Sequence, residues 1–182
     1  MQCFMIARIC QSFRQLQMKK VKNLFVDTER KCKMQKITPE TEKIMTERFG
    51  KDSIIALATD ENGMPFVRNV DGFYEDGAFY VITYALSDKM KQIEKNPNVA
   101  IAGDWFTAHG KGINLGYFGK SENKCIAEKL KKAFEAWIDN GHNDFDDENT
   151  CILCIQLTTG VLFSHGTRYD IDFTKDMDNI EK

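Results

Sequence analysis

The sequence lacks long apolar runs and both standard glycine-rich nucleotide cradles. No stretch approaches the roughly 18 consecutive apolar residues of a membrane-spanning helix. Neither GxGxxG nor GxxxxGKS/T occurs, so neither of the nucleotide sites built on those loops is predicted. With 182 residues, 42% hydrophobic and 29% charged, the chain can bury one core and hardly two. We predict one soluble, cytoplasmic domain that has no membrane partner.

Cysteine and histidine are too few and too scattered to predict a metal site. Among six cysteines and three histidines, only Cys151 and Cys154 have CxxC spacing. They lie in an apolar run that indicates a strand, where residues three apart point to opposite faces. We therefore predict buried structural thiols, no metal and no disulfide, as expected in a reducing cytoplasm.

The charge is unevenly distributed. Residues 1–36 carry nine basic and two acidic side chains, a net of +7, so the rest of the chain sums to −9. The basic segment is typical of a poorly ordered extension, with a targeting segment or a nucleic-acid contact as alternatives. The acidic body argues against nucleic acid as a partner. We place the folded domain at residues 37–175 and an acidic tail at 176–182.

Short turns between apolar segments predict antiparallel strands at the start of the domain. Thr38 and Pro39 are typical of a helix start, and Gly50 of a helix end. Asn62-Gly63 and Asp76-Gly77 accept the backbone of tight reversals. The first strands are predicted at 53–59, 65–73 and 78–83, and three strands joined this tightly must be antiparallel.

The second half continues with alternating short elements. We predict a helix at 87–95, a strand at 99–106, a glycine-rich connection at 107–112 and a strand at 113–118. The longest helix is predicted at 123–140 and ends at Gly141. Strands follow at 151–157 and 161–164, and the chain frays after Phe173. Many antiparallel strands with few helices predict a mainly β fold, a β-barrel with peripheral helices.

The segment from Thr83 to Lys89 has the composition of an anion site. A hydroxyl ends a strand at Thr83, a second one at Ser87 opens a helix, and Lys89 lies in its first turn. Unpaired N–H groups and the helix dipole favour anions at this point. Arg68 on a neighbouring strand could add a fork of donors. The alternative is that Ser87 only caps the helix, Lys89 is solvated and Arg68 pairs with a carboxylate.

The order of motifs around this segment resembles the pyridoxamine 5′-phosphate oxidase-like superfamily of FMN-binding split-barrel proteins. The resemblance is carried by Pro65-Phe66-Val67-Arg68-Asn69-Val70, Phe79-Tyr80-Val81-Ile82-Thr83, Ser87-x-Lys89 and Asn96-Pro97-Asn98-Val99-Ala100-Ile101. It implies a six-stranded antiparallel split barrel that forms a homodimer, with FMN near the interface.

The resemblance also implies roles for individual residues. Arg68, Thr83, Ser87 and Lys89 would hold the FMN phosphate, and the backbone of Asn69 and Val70 would run along the flavin ring. A further position, within Lys111 to Asn114, would reach the flavin. His109 in its glycine-flanked loop is either a proton donor or ligand for a nearby flavin or haem or, more simply, solvated.

The end of the domain departs from the oxidases that act on vitamin B6. Those enzymes grip the vitamin phosphate with an arginine and a histidine, and the segment from Gly166 to Phe173 has no such pair. Vitamin B6 oxidation is therefore not expected, and the chain looks more like small stress-associated members.

The function that these observations predict is FMN-dependent oxidoreduction between a nicotinamide-type donor and a small acceptor. The flavin would carry the redox chemistry, so no catalytic side chain is assigned. The alternatives are a non-catalytic flavin- or haem-binding sensor or stress module, and a deazaflavin enzyme on the same scaffold.

Overall fold

The fold is a closed antiparallel barrel, seen in a computed structural model that describes residues 35–141 and 143–174. The predicted basic segment, apart from Gln35 and Lys36, and the acidic tail 176–182 lie outside the described residues. The strands are β1 Gln35–Lys36, β2 Ser53–Glu61, β3 Met64–Glu75, β4 Ala78–Tyr84, β5 Asn98–Gly103, β6 Phe106–Tyr117, β7 Thr150–Ser164 and β8 Thr167–Asp172. The helices are α1 Pro39–Phe49, α2 Asp88–Lys95 and α3 Lys124–Ala133, with a 3-10 turn at Ser121–Asn123. None of these helices is long and apolar enough to span a membrane.

Six strands close the barrel in the order β7-β4-β3-β2-β5-β6, because β6 also pairs with β7. Strand β8 adds to the outer edge of β7, and β1 pairs with β8 in parallel. The predicted six-stranded antiparallel barrel with peripheral helices is confirmed. Each described strand of the barrel therefore pairs with two neighbours along at least part of its length.

The barrel core is filled by the inward-facing residues, which alternate along each strand, and by residues of helix α1. Phe49 of α1 packs edge-on against Phe79 at 5.5 Å and lies 5.7 Å from Phe106, measured between ring centroids. Edge and tilted contacts of this kind suit the quadrupoles of aromatic rings. The apolar stripe of α1 therefore closes one region of the barrel interior.

Local chemistry accounts for the first part of the fold. The Thr38 hydroxyl accepts a hydrogen bond from the Thr41 amide, and the Thr38 amide donates to the Thr41 hydroxyl, which forms a capping box. Pro39 occupies the first turn. Asn62 and Asp76 adopt φ of 55° and 47° at their turns, as tight antiparallel reversals require. The predicted helix start and both turns are confirmed.

The second half corrects four predictions. Residues 107–112 are not a connection but part of β6, and the predicted strand at 99–106 breaks at a turn where Trp105 has φ 52°. The predicted strands at 151–157 and 161–164 are one strand of 15 residues. Helix α3 ends at Ala133 rather than Asn140. In addition, segment 167–172, for which no element was predicted, forms β8.

Packing explains these differences. Gly110 and Gly112 occupy inward positions of β6, and a Cβ at Gly112 would lie 2.8 Å from Ile93 of α2. Glycine therefore serves close approach within a strand rather than a loop. Beyond α3, Trp137 stacks on Phe134 with centroids 4.9 Å apart and donates to Asp52 at 2.7 Å, which stabilises successive turns in place of helix.

The CxxC pair behaves as the strand pattern predicts. Cys151 and Cys154 are both buried thiols of β7. Cys151 belongs to the barrel core, whereas Cys154 faces Tyr80. Burial raises the pKa of both thiols, that of Cys154 to about 11. Both cysteines are buried, as predicted.

Candidate functional site

The barrel is split between β3 and β4. Strand β3 pairs with the whole length of β2 through its residues Met64 to Gly72. It pairs with β4 only over Phe73–Glu75. Before Phe73 strands β3 and β4 are separate, so residues Met64 to Gly72 of β3 have β2 as their single sheet neighbour among the described strands. The second edge of this part of β3 therefore carries main-chain groups that no strand of the described chain pairs.

A cavity of about 350 Å³ opens where helix α2 begins beside this split. Its lining residues come from the ends of β2 and β3 and from the first turns of α2: Glu61, Phe66, Arg68, Ser87, Asp88, Lys89 and Gln92. Three of the six predicted site residues, Arg68, Ser87 and Lys89, thus meet at one place. We call these three residues the corner.

Ser87 brings an unused hydroxyl to the corner. It stands at the N-cap of α2 with extended backbone, yet its side chain makes no capping hydrogen bond. The hydroxyl oxygen is buried and has no partner among the described residues. A buried hydroxyl without a partner costs free energy, so a missing polar partner is indicated here. The first N–H groups of the helix also lack intrahelical acceptors.

Lys89 and Arg68 make the corner cationic. Burial, and after it the charge of Arg68, lowers the pKa of Lys89. Burial likewise lowers the pKa of Arg68, which the nearby Asp88 partly offsets. No carboxylate of the described residues lies within 4.0 Å of either cation. Asp88 instead points to solvent, 3.6 Å from Lys91.

Arg68 is held by polar side chains and not by an acid. Its Nη1 donates to the hydroxyl of Thr59 at 2.6 Å, and its Nη2 donates to the carbonyl oxygen of Gln92 at 3.1 Å. In the described part of the chain, the alternative in which Arg68 pairs with a carboxylate is therefore not observed. Two cations, a free hydroxyl and a helix start together suit an anion such as a phosphate.

The other predicted site residues lie around the corner rather than in it. Thr83 is buried near the end of β4 and pairs with Cys151 of β7, but it does not line the cavity. Asn69 and Val70 lie on the one-sided part of β3 directly after Arg68. Their main chain therefore borders the split, as the predicted path along a flavin requires.

The candidates on β6 lie elsewhere. His109 is not in a loop but on β6, where its exposed side chain faces the outside of the barrel. Lys111 is exposed and donates to Asn98. Asn114 lines a separate cavity on the far side of α2, with Met90 and Ile93. None of the three lines the corner cavity.

Sequence reasoning missed Thr59 and Gln92. Both are 3% exposed, and Thr59 donates to Gln92 at 2.5 Å. A signal was present, because Thr59 follows Ile55 and Leu57 at the inward positions of β2, and Gln92 lies between the buried Met90 and Ile93 of α2. A polar residue on an apolar face needs a buried partner, and both residues point to the corner.

Among the described residues, the outside of the barrel at β2, β5 and β6 presents an exposed apolar surface. A trough of about 500 Å³ crosses it, with a floor of small side chains from β2 and β5: Ala56, Ala58, Ala100 and Ala102. Val67, which also lines the trough, is 68% exposed. We call this surface the outer face. We take this surface as a candidate for contact with another chain, because its exposed residues are apolar and adjoining.

Arg168 has a structural role on this side of the molecule. It forms a forked hydrogen bond with Asp170, through its Nη2 at 2.7 Å and its Nε at 3.0 Å. Its guanidinium also lies 5.8 Å from the ring centroid of Phe163. The arginine of the final strand therefore binds protein groups.

The fold defines a class, that of split-barrel proteins, and the corner is the candidate site at the split. The family model described as pyridoxamine 5′-phosphate oxidase matches residues 41–159. The chain belongs to the pyridoxamine 5′-phosphate oxidase family. None of the curated proteins compared with it matches.

Solved structures share the fold at low identity. General Stress Protein 26 from Bacillus anthracis is 22% identical with a TM-score of 0.51, covering 65% of this chain and 90% of that one. An FAD-binding protein from Mesorhizobium loti is 14% identical with a TM-score of 0.53, covering 68% and 92%. A heme binding protein from Mycobacterium smegmatis is 13% identical with a TM-score of 0.53, covering 68% and 54%.

Proposed function

We propose that this protein binds FMN at the corner and acts as an FMN-dependent oxidoreductase. The observation that carries the proposal is the convergence of Arg68, Lys89 and the unpartnered Ser87 hydroxyl at a helix start. A phosphate dianion would supply the acceptor that Ser87 lacks and the negative charge that the two cations lack. The family membership of the chain supports a flavin over other phosphorylated ligands.

The residues present fit the phosphate end of FMN. Arg68 offers a planar fork, Lys89 a compact charge and Ser87 a directed hydroxyl. Thr83, one strand end away, would support the same loop without contacting the cavity. The unpaired edge of β3 at Asn69 and Val70 would present main-chain groups to the ring system.

A bound flavin would supply hydride and electron transfer between a nicotinamide-type donor and a small acceptor. The protein itself would bind the flavin and orient its ring. The corner would fix the phosphate, and the one-sided edge of β3 would hold the ring in the split. No acid or base is assigned, because no ionisable side chain of the described residues stands out at that edge for this role.

We further propose that the protein is a homodimer that associates through the outer face. The small-residue floor and the exposed Val67 offer a surface on which a second copy can approach closely. Val67 directly precedes Arg68 and Asn69, so a partner seated there would lie next to the split. The resemblance to the family implies FMN near a subunit interface, and a dimer formed through the outer face would place the flavin there.

The spectrum of the purified protein tests the proposal. We expect a yellow protein whose flavin absorption is bleached by NADPH under anaerobic conditions. A flavin that NADPH and NADH cannot reduce would favour the non-catalytic binder. A Soret band without flavin would favour haem, a possibility raised by the heme binding neighbour, and would contradict the proposal.

A further inference from the structure

The buried side chains of Thr59 and Gln92 both accept hydrogen bonds from Arg68. Its Nη1 donates to Thr59 at 2.6 Å and its Nη2 to Gln92 at 3.1 Å, with a longer contact of 3.4 Å to the Leu57 carbonyl. Thr59 in turn donates to the same Gln92 oxygen. Three groups from β2, β3 and α2 thus form one closed hydrogen-bond network.

Gln92 is itself fixed from its other end. Its carbonyl oxygen accepts from both Arg68 and Thr59, which leaves its amide nitrogen to donate. A hydrogen bond from Gln92 contributes, after the hydrogen bond and charge of Lys95, to holding the pKa of the Glu61 carboxyl below its usual range. Lys95 lies 2.9 Å from that carboxylate. The network therefore extends from the surface to Arg68 and orients the glutamine amide.

This arrangement uses only part of the arginine. A guanidinium has five N–H donors, and the contacts to Thr59, Leu57 and Gln92 engage both hydrogens of Nη1 and one of Nη2. The remaining Nη2 hydrogen and Nε–H have no acceptor among the described residues. Arg68 lines the cavity together with Ser87 and Lys89, so donors that the protein does not engage remain for a ligand there.

A free arginine side chain loses rotamer freedom when it binds an anion. An arginine already held in place loses less, so its contribution to binding is larger. Thr59 and Gln92 are almost fully buried and could be replaced by apolar residues of similar size if only packing were needed. Their polar groups are therefore accounted for by what they orient.

We infer that Thr59 and Gln92 are positioning residues that preorganise Arg68 and so set the preference of the corner for phosphorylated over unphosphorylated flavin. The inference rests on the proposed FMN binding. It assigns no contact between either residue and the flavin itself, because both act through the guanidinium. The simpler alternative is that the pair only fastens α2 to the barrel.

Comparison of FMN with riboflavin tests this, since the two ligands differ only in the phosphate. Apoprotein is titrated with each, and flavin fluorescence reports the affinity. In Thr59→Val and in Gln92→Leu we expect FMN affinity to fall about tenfold, the scale of one charge-assisted hydrogen bond. Riboflavin affinity should stay unchanged. Thr59→Ser keeps the hydroxyl and should retain the wild-type preference.

The outcomes separate the inference from the function on which it rests. Equal losses for both flavins would mean that the pair only supports the fold, and the inference would be overturned. A preference for FMN that survives in both variants would also overturn it, while leaving the proposed function standing. Wild-type protein that binds neither flavin would defeat the proposed function itself. If Gln92→Leu does not fold, the valine and serine variants of Thr59 decide the question alone.

Discussion

At the scale of single residues, the corner is distinguished by polar and charged groups that have no partner among the described residues. Ser87 opens a helix without capping it, and Lys89 has a depressed pKa without a carboxylate beside it among the described residues. Each feature alone is common on protein surfaces. Their meeting in one cavity with Arg68 is what supports the proposed phosphate site.

Removal of Lys89 and Ser87 together should weaken FMN binding strongly. Charge-assisted hydrogen bonds contribute about 1.5–3 kcal/mol each, so Ser87→Ala with Lys89→Ala is expected to cost about 3 kcal/mol or more. Isothermal titration of apoprotein with FMN measures the change. Lys91→Ala is the matched control, because Lys91 lies on the same helix and its side chain is 57% exposed. Equal affinities in the double variant and the wild type would remove the corner as the binding site.

At the scale of elements, local signals and packing signals behave differently. The start of α1 and the turns at Asn62 and Asp76 follow from the residues in place, since each depends on groups a few positions apart. Strand β6 does not, because its inward glycines look like loop residues until Ile93 of α2 is seen against them. The alternation of exposed Thr107, His109 and Lys111 was nevertheless a strand signal.

Loss of the α1 cap should lower stability by a modest amount. Thr38 accepts from the Thr41 amide at 3.2 Å, and replacing an N-cap threonine with alanine costs about 1 kcal/mol. We expect Thr38→Ala to lower the free energy of unfolding by about that amount in urea denaturation. Thr46→Ala, at an exposed position of the same helix, should change it by less than about 0.5 kcal/mol. A Thr38 variant as stable as the Thr46 variant would show that the cap contributes little.

At the scale of the whole molecule, the barrel places its two surfaces of interest side by side. Strand β3 carries Arg68 on the side of the barrel interior and Val67 on the outer face, because successive strand residues point in opposite directions. A partner on the outer face would therefore border the split that holds the corner. Association and cofactor binding would be neighbouring events.

A charge on the outer face should prevent association. We expect the wild-type protein to be a dimer by size-exclusion chromatography with light scattering, and Val67→Glu to be a monomer, since a buried unpaired carboxylate is costly at an interface. Ala136→Glu places the same charge at an exposed position near α3 and should remain dimeric. A Val67 variant that stays dimeric would assign association to another surface.

The sequence by itself determined the features that depend on neighbouring residues: the helix start at Thr38, the hairpin turns, the strand character of Cys151 to Leu157 and the composition of the segment leading to Lys89. Its motif order also sufficed for the family, because ordered motifs survive low identity.

Only the tertiary structure decided which of those residues meet. In the structure Arg68 lines one cavity with Ser87 and Lys89, whereas Thr83 does not line that cavity. His109 lies on the outside of the barrel. The structure also supplied Thr59 and Gln92, whose roles depend on partners more than 30 positions apart or on another strand. Such contacts are set by how strands and helices pack in three dimensions, and residue spacing along the chain carries little record of that packing.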